Sequence, residues 1–187
     1  MRNAGPCSWW AVVADALVIG LCWFLACLFG QAALYKLRAL EFYRQLMRHY
    51  LGEPPLGRAI PLLLAAVEGT AALALLLPPA RRCGLFAVAA LLLAYALLMA
   101  VQLLRGRAGM QCGCAGPDSA LGISWALVLR NGLCAGLAVL AAGYPAGALP
   151  ASWGGLAGAL LVAGVALLAY HTSELLIGNA QWMDGEA

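Results

Sequence analysis

Residues 83–104 read CGLFAVAALLLAYALLMAVQLL, a run of 22 positions without an Asp, Glu, Lys or Arg. The hydrocarbon core of a bilayer is about 30 Å thick and an α-helix rises about 1.5 Å per residue, so about 20 such residues cross it. This stretch therefore reads as a membrane-spanning helix. Working outward, apolar runs of similar length lie at about 9–34, 59–79, 121–142 and 152–177, which predicts five spans in all. The first is longer than the core of a removable signal sequence, about 7–15 residues, and is expected to stay in the chain. Pro78-Pro79-Ala80-Arg81-Arg82 breaks the chain between the second and third runs, and Tyr144-Pro145 and Pro150 bracket the fourth connection.

The rest of the composition agrees. Of 187 residues 64% are hydrophobic and 10% charged, against about 25% charged in an ordinary soluble domain. Residues 1–187 are read as one all-α integral membrane domain, a polytopic helix bundle in the lipid bilayer. A net charge of +3, scattered along the chain, excludes a nucleic-acid surface. Trp9, Trp10, Trp125, Trp153 and Trp182 fall near the proposed span ends, the headgroup level that amphipathic rings prefer. Gly132 with Gly136, and Gly154 with Gly158, have the four-residue spacing that lets helices approach closely.

Polarity concentrates in two places. Residues 35–53 interleave Lys36, Arg38, Glu41, Arg44 and Arg48 with Leu37, Leu40, Tyr43, Leu46 and Tyr50, the pattern of an amphipathic helix lying at the membrane interface. The third connection carries Arg105, Arg107 and the run Cys112-Gly113-Cys114. Two cysteines one Gly apart can close only a small, strained ring, and strained disulfides are the oxidising, exchanging kind. Arg105, Arg107 and a helix N-terminus capped by Asp118 or Ser119 would favour the thiolate. Glycines at 106, 109, 113 and 116 would let the loop move. The competing readings are a pair of structural thiols and a half metal site, whose two missing ligands His49 and His171 do not obviously supply; no metal is assigned.

Ionisable groups inside the spans should find partners there. Glu68 and Arg130 each lie about nine residues into their spans from the same face, about 13 Å deep, which predicts a Glu68 to Arg130 ion pair. Cys134 shares the helix face of Arg130, and Cys27 reaches a similar depth, so a thiol relay through Cys27 and Cys134 to the loop is a further expectation. The alternative is that both cysteines simply pack.

Leu34-Tyr35-Lys36-Leu37, the Pro61 to Glu68 stretch, Arg105-Gly106, Cys112-Gly113-Cys114-Ala115-Gly116 and Arg130-Asn131 together resemble the MauE membrane family, itself distantly similar to DoxX-like four-helix proteins. The resemblance spans about residues 20–142 and implies a four-helix core plus a fifth helix. Ala115 departs from the aromatic residue usual after the second cysteine. The resemblance also implies a bacterial inner-membrane protein that supports processing, transport or disulfide formation of the small (β) subunit of periplasmic methylamine dehydrogenase, beside a thioredoxin-like partner of the MauD type. Cys112 and Cys114 would be the exchanging thiols, with Lys36, Glu68, Arg130 and Asn131 shaping the bundle around them. Whether this makes the chain an enzyme, a thiol-disulfide oxidoreductase, is left open. A non-enzymatic scaffold is the alternative, and so is a quinone-linked oxidoreductase subunit, whose quinone acceptor site the sequence does not place.

Orientation pulls two ways. Seven basic residues, Lys36, Arg38, Arg44, Arg48, Arg58, Arg105 and Arg107, lie on the side of the cysteine loop, against Arg2, Arg81 and Arg82 on the other, which would put the loop in the cytoplasm. Disulfide chemistry needs an oxidising compartment. The expectation adopted is a periplasmic loop, with Lys36, Arg38 and Arg130 held by the protein and so poor reporters of topology.

Overall fold

A computed structural model describes residues 9–51, 59–107, 110–113, 116, 121–144 and 152–185. The apolar runs form helices in the expected order: α1 Trp9–Arg38, α2 Leu40–Leu51, α3 Ile60–Leu76, α4 Arg81–Leu104, α5 Trp125–Ala142 and α6 Trp153–Gly185. Among the described residues there is no strand, and one isolated antiparallel bridge joins Gln111 and Gly122. The protein is an all-α polytopic helix bundle.

Four helices, α1, α4, α5 and α6, are long and apolar enough to cross a membrane. The second expected span is shorter than read. Pro61 opens α3 in its first turn, and the helix stops at Leu76, ahead of Pro78 and Pro79, leaving 17 residues. That is about 25 Å of helix, the lower end of what spans a bilayer.

The core holds many alanines beside its larger side chains, and many leucines face outward, the arrangement of a protein whose surroundings are as apolar as its interior. Ala138 and Ala159 are fully buried, whereas Leu97, Leu140 and Leu161 are 65%, 74% and 68% exposed. In lipid nothing drives leucines inward, and helices associate where small residues let their backbones meet. Trp9, Trp125 and Trp153 are the first residues of α1, α5 and α6, and all three are exposed, as the headgroup assignment requires.

In the bundle, α1 packs between α3 and α6, and α4 packs between α3 and α5. Close approach falls on one of the four glycines that the spacing suggested, Gly158, and on Gly20. A methyl at Gly132, Gly136 or Gly154 would meet open space, while Gly158 lies against Ala16 and Gly20 is the tight point of α1 on α6. A Cβ at Gly20 would stand 2.6 Å from the Ala159 carbonyl oxygen and 2.7 Å from Val162 Cβ. Gly20→Val should therefore push α6 off α1 and cost about 1–3 kcal/mol, read as a lower midpoint of detergent-induced unfolding; Gly136→Ala should leave that midpoint unchanged.

Two further boundaries differ from expectation. α1 runs as one helix to Arg38, so Tyr35 and Lys36 belong to a long helix of the bundle, and the amphipathic segment begins at Leu40 after a bend at Ala39. Its apolar face does not lie free at an interface, because Tyr43 and Leu46 are buried against the bundle. α5 begins at Trp125 with Ser124 at its N-cap in extended conformation. Residues 121–123 are held extended by pairing with 110–112, which displaces the cap expected at Asp118 or Ser119; those two residues lie outside the described ones.

Candidate functional site

All six helices and the loop that follows α4 contribute to the wall of a cavity of about 250 Å³, most of it from α1 to α4. Two elements of the chain grip that loop. The Cys112 amide donates to the Leu121 carbonyl (3.0 Å) and the Ile123 amide to the Met110 carbonyl (2.9 Å), so the chain doubles back on itself as a short hairpin. The Gln181 side chain of α6 clamps the far strand, donating to the Gly122 carbonyl and accepting from its amide at 2.9 and 3.0 Å.

The near strand is held by α2. Tyr43 and Tyr50 are seven residues apart and therefore lie on one helix face. The Tyr43 hydroxyl donates to the Gly113 carbonyl (2.9 Å) and the Tyr50 hydroxyl to the Gln111 carbonyl (3.0 Å). The Gln102 amide of α4 in turn donates to the Tyr50 carbonyl (3.2 Å). Cys112 is thus bracketed on both sides by fixed backbone, with its sulfur 3.7 Å from the Met99 sulfur. These bonds seat residues 110–113. Gly113 takes φ +70°, and a Cβ there would run into Leu46 Cδ2, so this glycine serves a tight turn against α2. Cys114 lies outside the described residues.

The ion pairs re-sort the expected charges. Glu68, fully buried on α3, pairs with Lys36 of α1 (Nζ to Oε1, 2.9 Å), and the Tyr95 hydroxyl of α4 donates to the same oxygen. Lys36 Nζ also stands over the rings of Tyr43 and Tyr95, 5.2 and 5.8 Å from their centroids. Arg130 pairs instead with Glu174 of α6 (3.4 Å), lies 4.0 Å over the Tyr170 ring and reaches Ser173 (3.4 Å). The expected pairing of Glu68 with Arg130 is wrong for a geometric reason. Counted from Ile60, Glu68 is about 12 Å into its helix, but α5 starts four residues later than its apolar run, leaving Arg130 only about 8 Å in.

Lys36, Glu68 and Asn131 line the cavity with Cys112 and Gly113, whereas Arg130 does not. Arg105 and Arg107 are exposed at the exit of α4. Arg38, expected to be held by the protein, is exposed. Cys27 is exposed on α1, and Cys134 is buried in the large core cluster, whereas Cys112 packs with the smaller cluster of Met99, Leu121, Ile123 and Leu127. Neither Cys27 nor Cys134 lines the cavity, so the space beneath Cys112 is not a ladder of thiols.

Tyr43 and Tyr50 enter the sequence reading only within the amphipathic pattern, and it does not reach Tyr95, Gln181 or Glu174. The tyrosines were legible as one stripe of α2, and Glu174 as an acid within the last apolar run; Tyr95 and Gln181 carry no local signal.

The geometry is accompanied by kinship. Residues 14–144 match the family described as methylamine utilisation protein MauE. The methylamine utilization protein MauE of Paracoccus denitrificans is 41% identical over 157 residues, covering 83% of this chain and 84% of that protein. Those of Paracoccus versutus and Methylorubrum extorquens are 35% and 32% identical over the same shares of each chain. No solved structure matches the chain. On a family match covering most of the bundle, the cysteine loop included, and on relatives aligned over most of their own length, the chain belongs to the MauE family of methylamine utilisation proteins.

Proposed function

We propose that the protein is a maturation factor of the bacterial inner membrane that forms disulfides in the small subunit of periplasmic methylamine dehydrogenase. The chemistry is thiol-disulfide exchange at Cys112 and Cys114. The observation that carries this reading is the seating of Cys112: one strand of backbone, fixed on both sides by Tyr43 and Tyr50, presents it at the edge of a cavity. A purely structural cysteine needs no such frame. In the oxidising direction a client thiolate attacks the Cys112–Cys114 disulfide and forms a mixed disulfide. The client's second thiolate then displaces the pair, leaving the client disulfide and two reduced loop thiols. Where a thioredoxin-like partner of the MauD type stands between, its dithiol takes the client's place in this exchange and its own disulfide then oxidises the client.

An oxidising role places the loop in the periplasm. Lys36 is held in its ion pair and so does not report topology, but Arg38, Arg44, Arg48, Arg58, Arg105 and Arg107 still count the other way. The orientation therefore rests on the thiol chemistry.

Substituting both loop cysteines tests the reading. With Cys112→Ser and Cys114→Ser together, the small subunit should accumulate with free thiols and fail to mature while the membrane protein stays at its normal level. Normal maturation would favour the scaffold reading, in which the bundle holds a partner and the cysteines are incidental.

A further inference from the structure

The exchange reading leaves reduced thiols that must lose their electrons again, and the cavity indicates where those electrons go. We propose that the cavity under Cys112 binds a membrane quinone, which reoxidises the loop; the proposal rests on the exchange reading and adds its electron acceptor. The step balances: the two thiols of Cys112 and Cys114 give up two electrons and two protons and join as a disulfide, while the quinone takes both and leaves as the quinol.

Four observations point to this class of ligand. Size is the first. An apolar cavity of about 150 Å³ holds a benzene ring, so about 250 Å³ takes a substituted single ring. The second is the wall, whose Tyr43, Tyr95, Met47 and Met99 offer flat and polarisable surfaces to a ring, with Cys112 beside them. Access is the third: the lining residues Ala94 and Leu98 are on the exposed side of the spanning helix α4, so a lipid-soluble molecule can enter sideways and leave its apolar tail in the bilayer.

The fourth observation concerns hydrogen bonding. Glu68 is fully buried, yet only its Oε1 is bonded, to Lys36 and Tyr95; among the described residues its Oε2 has no partner. A buried carboxylate oxygen left bare is costly. A quinol hydroxyl donating to Oε2 would satisfy it, and the Lys36 ammonium and Asn131 amide are donors for the carbonyl of the oxidised form. An acyl chain, the other lipid-soluble candidate, has no group for Oε2.

The test uses the full chain in lipid nanodiscs, reduced and freed of reductant, with decylubiquinone as probe. One quinone should be consumed for every two thiols lost, with a rate that saturates in quinone, and Cys112→Ser should abolish the reaction. Ala94→Trp, which narrows the lipid-side entry of the cavity, should slow it by about tenfold or more, while Leu161→Trp on the outer face of α6 should leave it unchanged. Diamide oxidation of the pair in both Trp variants shows that the thiols still react, and an unchanged midpoint of detergent-induced unfolding separates a blocked cavity from a damaged fold. If the pair exchanges with a dithiol peptide but decylubiquinone is not reduced, or if Ala94→Trp reacts like the parent while Leu161→Trp does too, the quinone site is overturned and the exchange reading stands. If the pair exchanges with no dithiol peptide, the exchange reading falls and this one with it.

Discussion

Lys36→Met lowers the stability of the bundle by about 3–5 kcal/mol, the cost of leaving a buried charge without its partner. The magnitude follows from Glu68, which is fully buried and, among the described residues, receives only Lys36 and the Tyr95 hydroxyl on its bonded oxygen. Removing the ammonium leaves one phenol to carry a carboxylate. Pairing Lys36→Met with Glu68→Leu should restore most of the loss, because a buried ion pair replaced by apolar groups of similar volume is often neutral. The residual deficit, about 1 kcal/mol, is the hydrogen bond that Tyr95 no longer makes. Denaturation of the four chains of this cycle in detergent measures it. The single substitution has a second readout. Lys36 stands over the Tyr43 ring, and Tyr43 holds the Gly113 carbonyl, so Cys112 should be alkylated faster in Lys36→Met than in the parent.

The second large effect is chemical and leaves the fold intact. Cys112→Ser alone should bring turnover with a dithiol peptide down to the uncatalysed rate, and Cys114→Ser should do the same. The double substitution should be no worse than either single one, because the two thiols act as one unit and removing either prevents the ring from closing. Stability should barely move, since Ser differs from Cys by one atom and Cys112 is only half-buried. Additive losses would mean that the two sulfurs act independently.

The contrast between these two predictions reflects how unevenly the molecule can be read from its residues. Apolar runs, proline turns and terminal tryptophans place the helices, because in a bilayer length and hydropathy decide what crosses. The same reading mispairs Glu68 and Arg130, since the apolar count runs into residues 121–124, which are apolar in composition but extended, paired with 110–112. It also assigns Lys36 to a surface segment, because its neighbours Arg38 and Glu41 are polar; the helix nevertheless continues to Arg38, and Lys36 meets Glu68 inside. The cysteine loop is conspicuous in sequence by its spacing alone. What holds it is not, because Tyr43, Tyr50 and Gln181 reach it from 59 to 70 residues away.

The pair formed by Cys112 and Cys114 is the centre of the account, and its state in the living membrane is directly measurable. Intact cells are treated with an impermeant maleimide, with and without a brief exposure to an impermeant phosphine reductant, and labelling at the two positions is read by mass spectrometry. The account predicts no label on either cysteine before reduction and label on both afterwards, as for an oxidised pair facing the periplasm. Protection of both after reduction, or full labelling without it, would contradict the account.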